Sequence, residues 1–252
     1  MATLAQPRVP ARSEERFFFI MACVIAAMMA GAFSLHLALG RSTFAVPPIY
    51  HVHAFVFFGW LVLFVAQSGL ASSGNAALHR RLGLVSLLWI PLMLVVGTLM
   101  TVTSLRRTGG PFFFDANEFL LGNPIGLVAF AGLAGAALAL RRRTDWHRRL
   151  MLGSLISIAG PGFGRLLPMP LMIPWAWEIS NLACTVFVFV AMRRDARHRG
   201  QVHPAWYVVL AAMVGFLALG ELLAYSPWGI DLTRWALEGS PGAARPMQAY
   251  LP

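Results

Sequence analysis

A few ionisable side chains lie inside long apolar stretches of this sequence, where charge is costly. His51 and His53 open one such stretch, and Arg165, Glu178 and Glu221 lie within three others. Ionisable residues inside membrane spans are rare, and they usually serve binding, ion passage or proton transfer. These residues therefore predict a polar site within a bundle of helices.

Histidine and carboxylate side chains together favour a metal or haem site. Imidazole and carboxylate ligands suit zinc, copper or iron, so His51, His53 and Glu178 are candidate ligands of a transition metal. Two histidines on facing helices could instead hold haem b, with His53 and His36 as the axial pair. Neither cofactor is specified by these residues alone.

Helical spacing gives His53 an aromatic neighbourhood. Five residues recur at positions i, i+4, i+7, i+11 and i+14, which places them on one helix face. An aromatic face with a polar group at each end suits the interior of a bundle, and its indole and amide groups are candidate cofactor contacts. The five residues are His53, Phe57, Trp60, Phe64 and Gln67.

The charged residues of the later spans allow a third interpretation, in which Arg165, Glu178 and Glu221 bind a polar substrate. They could equally form a structural ion pair. Counting along the helices puts His53, Arg165, Glu178 and Glu221 at one depth, in the outer half of the bilayer. We therefore expect the four side chains to converge on one cavity, with Arg165 neutralising at least one glutamate.

The composition excludes a soluble domain. Of 252 residues 58% are hydrophobic and 12% are charged, with a mean hydropathy of +0.67. The net charge of +10 lies in short clusters between apolar runs, as in cytoplasmic loops of membrane proteins, so nucleic acid is not the expected partner. The expected partners are the lipid bilayer and other membrane proteins or further copies of this chain.

Apolar runs of about 20 residues predict an all-α protein with seven transmembrane helices. A cytoplasmic tail (1–16) precedes the membrane domain (17–225), and a periplasmic interfacial tail (226–252) follows it. The predicted spans are 17–39, 50–72, 82–103, 120–140, 149–168, 174–192 and 205–225.

Arginine-rich turns predict the orientation. They follow spans two, four and six, which places the amino terminus in the cytoplasm and the carboxyl terminus outside, in a bacterial inner membrane. Anionic headgroups are the expected partners of these turns, although their histidines could also ligate haem near the cytoplasmic face. The residues concerned are His79, Arg80, Arg81, His147, Arg148 and Arg149.

An internal repeat supports this organisation. The segment ALHRRLGLVSLL (77–88) aligns with DWHRRLMLGSLI (145–156), which pairs His79 with His147. Repeats of this kind predict parallel helical hairpins around a shared site, in addition to one anchor helix.

The chain resembles a family of predicted bacterial inner-membrane proteins of unknown function. The resemblance rests on the histidine pair that opens span two, the following tryptophan and Gln67, HRRLG (79–83) and DWHRRLM (145–151). That resemblance implies a seven-span topology and no activity. A fainter similarity to b-type membrane cytochromes implies haem-ligating histidines. The expected function is a periplasm-facing polar or histidine site that binds haem or a transition metal for redox work. The alternatives are a small-molecule transporter, a ligand sensor, and an accessory subunit of a larger membrane complex.

Overall fold

The computed structural model describes residues 11–251, which form α-helices joined by short turns. The all-α prediction is confirmed. Six helical segments are long and apolar enough to cross a membrane, which makes the chain a multi-pass membrane protein. These segments are Ser13–Ala38, Pro48–Ser72, Ala76–Thr108, Ala116–Ala139, Ala176–Arg199 and Ala205–Ala224.

The helix boundaries follow the local sequence. Pro48 occupies the first turn of α2, where its missing N–H costs nothing. Gly109 and Gly200 end α4 and α9 in the left-handed conformation, each with φ 75°. The helices are α1 (Ala11–Ala38), α2 (Pro48–Ser72), α3 (Ala76–Gly83), α4 (Val85–Thr108), α5 (Ala116–Ala139), α6 (Thr144–Ser157), α7 (Gly160–Leu166), α8 (Ala176–Leu182), α9 (Thr185–Arg199), α10 (Ala205–Ala224) and α11 (Pro227–Leu237), with 3₁₀ turns at Met169–Met172 and Pro241–Ala244.

Several predicted boundaries differ from the structure: the span predicted at 82–103 extends from Ala76 to Thr108, and the one predicted at 174–192 extends to Arg199. The tail predicted for 1–16 is helical from Ala11 onward, and its residues 1–10 lie outside the described part. The span predicted at 120–140 begins earlier, at Ala116, because Asp115 and Glu118 form a capping box at the start of α5.

The helices α6 and α7 run side by side with α1 from one end of the bundle to the other. Glu14 in the first turn of α1 contacts Arg149 of α6, and His36 in the last turn of α1 contacts the backbone of Arg165 in α7. Each of the two helices is too short to be one of the six long segments. Their break at Ile158–Ala159 interrupts the span predicted at 149–168.

The aromatic face predicted for α2 does point into the bundle. Trp60 is 1% exposed, and its ring lies edge-on to Phe130 with ring centres 5.4 Å apart. Phe64 is also buried in the same core. The period of 3.6 residues therefore identified the interior face of this helix correctly.

Three turns meet at one end of the bundle, which we call the basic end: residues 73–75, 140–143 and 200–204. The helices that follow these turns bring them together. The rings of His79 in α3 and His147 in α6 lie 6.3 Å apart, and the ring of Trp146 in α6 lies 5.2 Å from that of His203 in the third turn. At the opposite end, α11 and the last 3₁₀ turn pack against α4, and α11 also contacts α5.

Candidate functional site

Three glutamates from three helices meet at the end of the bundle opposite the basic end. Glu118 lies in the first turn of α5, Glu178 in the first turn of α8 and Glu221 in the last turn of α10. One carboxylate oxygen of each lies within 4.8 Å of the others. We call these three residues the glutamate group.

Glu118 is the most firmly held member of the group. It is 3% exposed, its Oε1 lies 2.7 Å from the hydroxyl of Tyr225, and its Oε2 accepts a hydrogen bond of 3.3 Å from the backbone N–H of Asp115. The same capping box that begins α5 therefore fixes this carboxylate.

Tyr225 links two carboxylates through a single hydroxyl group. Its oxygen lies 2.9 Å from Oδ2 of Asp115 as well as 2.7 Å from Oε1 of Glu118. Burial and the hydrogen bond to Glu118 raise the pKa of Tyr225, so the phenol keeps its proton. Because one phenolic hydrogen can be donated to only one acceptor, both short contacts are satisfied when one carboxyl group is itself protonated.

Glycines bring the three helices close enough for the glutamates to meet. A Cβ at Gly122 would lie 2.3 Å from the indole of Trp177, the residue before Glu178. A Cβ at Gly220 would lie 3.6 Å from the Cα of Gly122. These close approaches place α5, α8 and α10 in direct contact beside the carboxylates.

The glutamate group has no basic partner in the described part of the chain. Oε2 of Glu178 and Oε1 of Glu221 are buried and have no hydrogen-bond partner among residues 11–251. In the same range, no arginine nitrogen lies within 4.0 Å of Glu118, Glu178 or Glu221. Of the two arginines before Glu118, Arg106 donates to the carbonyl of Ala236 at 2.6 Å and Arg107 lies over the ring of Tyr50.

Arg165 does not neutralise either glutamate, so that prediction is wrong. Its Nη1 donates to the carbonyl of Pro161 at 2.9 Å, and its guanidinium lies over the ring of Phe33 at 3.7 Å. Its own carbonyl accepts a hydrogen bond of 2.9 Å from Nε2 of His36. The arginine is thus stabilised by its own helix and by α1, and not by the glutamate group.

The predicted metal ligands His51, His53 and Glu178 are not brought together. His51 is exposed, and the ring of His53 stacks on Phe57 with centres 4.2 Å apart. Within residues 11–251, the group of three potential ligands that does converge consists of glutamates only. The two histidines lie in the first turns of α2, whereas Glu178 lies in the first turn of α8, beside α5 and α10.

The remaining predicted cofactor contacts lie deeper in the bundle. Nε1 of Trp60 and Oε1 of Gln67 are buried without a hydrogen-bond partner among the described residues. The amide nitrogen of Gln67 lies against Gly83, where a Cβ would meet it at 3.3 Å. Both side chains therefore face the interior, as predicted. They lie on α2, whereas the glutamates lie on α5, α8 and α10.

Part of the carboxyl-terminal segment packs against the loop before Glu118. The N–H of Ala249 donates to Oδ1 of Asp115 at 2.6 Å, and the carbonyl of Met247 accepts from the N–H of Ala116 at 2.7 Å. Arg245 donates to the carbonyls of Gly109, Phe112 and Phe114. This segment, residues 245–250, fixes the start of α5 from outside.

A separate ion cluster lies at the basic end, around Arg149. This side chain is fully buried and binds Asp195 with two hydrogen bonds, Nε to Oδ2 at 2.8 Å and Nη2 to Oδ1 at 2.7 Å. Trp206 donates to the same Asp195 at 2.9 Å. Glu14 accepts from Arg148 and lies 3.1 Å from Arg199.

The ion cluster corrects the predicted role of two arginines. Arg149 is enclosed by the bundle and does not reach lipid headgroups, and Arg148 is half-buried against Glu14. Arg80 and Arg81 are exposed, which agrees with the headgroup contacts predicted for them. The two copies of the HRRL motif therefore differ in the surroundings of their arginines.

The histidines of the two copies have matching contacts. Nδ1 of His79 lies 3.1 Å from the carbonyl oxygen of Gln67, near the end of α2. Nδ1 of His147 lies 2.8 Å from the carbonyl oxygen of Ala137, near the end of α5. The repeat thus places the two rings in equivalent positions.

Glu118, Asp195 and Glu14 are the functional candidates that sequence reasoning missed. Glu118 sits in a segment that the apolar pattern predicts as a loop, and the D-x-x-E spacing of Asp115 and Glu118 was the available signal. No local signal joins Glu14 or Asp195 to Arg149, which lies 135 and 46 residues away along the chain.

Comparison with protein-family models, with curated proteins and with solved structures finds no match for this chain.

Proposed function

We propose that this membrane protein binds a divalent cation at the glutamate group, with Ca²⁺ as the reference ion. The observation that supports the proposal is the meeting of three carboxylates with two buried oxygens that have no protein partner. Carboxylates removed from water are costly unless a proton, a basic group or a cation compensates them. No basic group within residues 11–251 does so, which leaves protons or a bound cation.

The ligand chemistry favours a hard cation. Carboxylate oxygens suit Mg²⁺, Ca²⁺ and Mn²⁺, whereas copper and zinc prefer nitrogen or sulfur ligands. Oxygens on opposite sides of Ca²⁺ are about 4.6–5.2 Å apart, at bond lengths of 2.3–2.6 Å. The oxygens of the glutamate group lie within 4.8 Å of one another, which accommodates an ion of that size.

Each member of the group has its own part in binding. Glu178 and Glu221 offer the buried oxygens that lack partners, so they bind the ion directly. Glu118 is oriented by Tyr225 and by the backbone of Asp115, and its remaining lone pairs complete the set. When a cation arrives, the proton shared around Tyr225 is released, because a metal ion favours the ionised carboxylate.

Haem and redox chemistry fit this end of the bundle less well. The expected axial partner His36 uses its Nε2 for a hydrogen bond to the carbonyl of Arg165. His53 stacks on Phe57. We therefore assign no redox step to these residues.

We further propose that α6 and α7 together form a seventh, broken crossing and that the basic end faces the cytoplasm of a bacterial cell. The path of α6 and α7 along the full length of α1 supports the first part. The gathering at one end of three turns, each containing or flanked by arginines, supports the second. Alkaline phosphatase fused to the carboxyl terminus should then be active, and green fluorescent protein fused there should be dark; the reverse pattern would refute the orientation.

Calorimetric titration of the detergent-purified protein with Ca²⁺ tests the cation site. We expect one ion per chain, and at least a tenfold loss of affinity in Glu178→Gln and in Glu221→Gln, which keep the side-chain shape but remove the charge. Glu238→Gln is the matched control, because Glu238 is exposed and outside the glutamate group.

Thermal unfolding gives a second measurement. The difference in unfolding temperature between the unaltered protein and the Gln variants should change sign when Ca²⁺ is added. Without divalent cations, the Gln variants should unfold at the same or a higher temperature than the unaltered protein, because an uncompensated buried charge is removed. With Ca²⁺ in excess, only the unaltered protein should gain stability. Equal Ca²⁺ affinity in Glu178→Gln, Glu221→Gln and Glu238→Gln would refute the site.

A further inference from the structure

The two repeat histidines form a second group of unused ligands, at the basic end and separate from the glutamate group. His79 stands in α3 and His147 in the first turn of α6. Their ring centres are 6.3 Å apart, with the ring planes at 84°. Both rings are half-buried, and the pair lies where the two turns of the repeat meet.

The tautomer of each ring follows from its backbone contact. Nδ1 of His79 faces the carbonyl of Gln67, and Nδ1 of His147 faces the carbonyl of Ala137. A carbonyl oxygen can only accept, so each Nδ1 carries the hydrogen. In the neutral ring the lone pair is then on Nε2, for which no hydrogen bond is found among residues 11–251.

We infer that His79 and His147 bind one transition-metal ion through their Nε2 atoms. Histidine ligands of metals almost always donate their other ring N–H to a carbonyl or carboxylate, which is the contact that both residues make here. Imidazole nitrogen suits Zn²⁺, Cu²⁺ and Ni²⁺, in contrast to the oxygen ligands of the glutamate group.

The separation of the rings agrees with one shared ion. Two imidazoles that bind an ion at about 2.0–2.1 Å have ring centres roughly 5–6 Å apart. The observed 6.3 Å requires a small side-chain rotation to reach that range. Because both rings are half-exposed, water completes the coordination. Of the nearby arginines, Arg148 is paired with Glu14 and Arg149 with Asp195, whereas Arg80 and Arg81 are exposed and their charges are screened by solvent.

Replacement by asparagine separates metal binding from a purely structural role. The amide nitrogen of asparagine takes the place of Nδ1 and can still donate to the carbonyl, whereas nothing replaces Nε2. His79→Asn and His147→Asn should therefore retain the hydrogen bonds to Gln67 and Ala137. If the rings served only as caps for the preceding helices, these variants would behave as the unaltered protein does.

Zn²⁺ is the probe, and the Glu178→Gln/Glu221→Gln protein is the background, so that failure of the glutamate group does not affect the result. We expect calorimetry to show one Zn²⁺ per chain in this background and at least a tenfold weaker affinity after either asparagine replacement. His51→Asn, at an exposed histidine of the opposite end, is the matched control and should bind Zn²⁺ unchanged. Absence of saturable Zn²⁺ binding, or equal affinity in all three variants, would overturn the inference.

A chemical measurement on the unaltered protein covers the case in which a variant does not fold. Diethyl pyrocarbonate modifies accessible imidazole nitrogens, and the modified peptides can be counted by mass spectrometry. We expect Zn²⁺ to protect His79 and His147 together while the modification of His51 is unchanged. Modification of His79 and His147 at equal rates with and without Zn²⁺ would overturn the inference.

Discussion

Replacing Arg149 by methionine removes the most deeply buried cation among the residues whose burial is described, and leaves its partner in place. Arg149 is fully buried, and the side chain of Asp195 is 2% exposed. Both hydrogen bonds between them are lost in Arg149→Met, so Asp195 becomes a buried charge without a counter-ion.

The size of the effect follows from the remaining contacts of Asp195. Removing one partner of a buried ion pair costs about 3–5 kcal/mol. Asp195 keeps its hydrogen bond from Trp206, 2.9 Å long, which offsets part of that loss. We therefore expect the lower part of the range, about 3 kcal/mol, in the free energy of unfolding.

Equilibrium unfolding of the detergent-solubilised protein by sodium dodecyl sulfate, followed by tryptophan fluorescence, measures this free energy. Arg199→Met is the control, because the side chain of Arg199 is 27% exposed and Glu14 keeps its pair with Arg148, so a loss of only about 0–1 kcal/mol is expected. The double replacement Arg149→Met/Asp195→Asn should recover at least half of the loss, since asparagine removes the charge but still accepts from Trp206.

Two results would refute this reasoning. One is an Arg149→Met protein as stable as Arg199→Met. That result would mean that the pair of Arg149 with Asp195 contributes no more than the pair of Arg199 with Glu14. The other is a double variant as unstable as Arg149→Met, which would trace the loss to packing around the methionine and not to the unpaired charge of Asp195.

Gly122→Leu should lower both Ca²⁺ affinity and thermal stability, because its side chain would overlap the indole of Trp177, whereas Gly132→Leu should have little effect, since Gly132 has open space around it. Burial and the positive charges of nearby arginines lower the pKa of His203 to about 4, so its contribution to stability is present above pH 6.5 and is lost as the pH falls from 6.5 to 4; His203→Asn should flatten the dependence of the unfolding midpoint on pH over that interval. Arg245→Gln should free the segment after α11, and carboxypeptidase digestion followed by mass spectrometry should then shorten the chain faster.

Composition and apolar length predict the helical membrane fold because each span must bury a long apolar surface by itself. The same information gives the level of a residue along its helix but not the neighbour it faces. Glu178 and Glu221 were therefore found, whereas the predicted partner Arg165 faces α1 instead. The meeting of α5, α8 and α10 depends on close packing at Gly122, which no local pattern reveals.

The ion cluster shows that a sequence motif does not determine which distant helix packs against it. Arginines beside a span usually contact headgroups, and Arg80 and Arg81 are exposed as expected. Arg149 belongs to the same motif but is buried, since Asp195 from α9 supplies its counter-charge. Two copies of one sequence motif thus have different roles because distant helices pack against only one of them.

The ion pairs of Glu14 have a consequence for biosynthesis. This residue is among the first of the described chain, yet its partners lie 134 to 185 residues later, on α6 and at the end of α9. A nascent chain therefore inserts α1 long before the arginines that neutralise Glu14 have been synthesised. Until α6 has been made, α1 remains a helix whose acidic first turn must stay in contact with water. Its last partner, Arg199, follows only at the end of α9, so the contacts that hold α1 form late in synthesis.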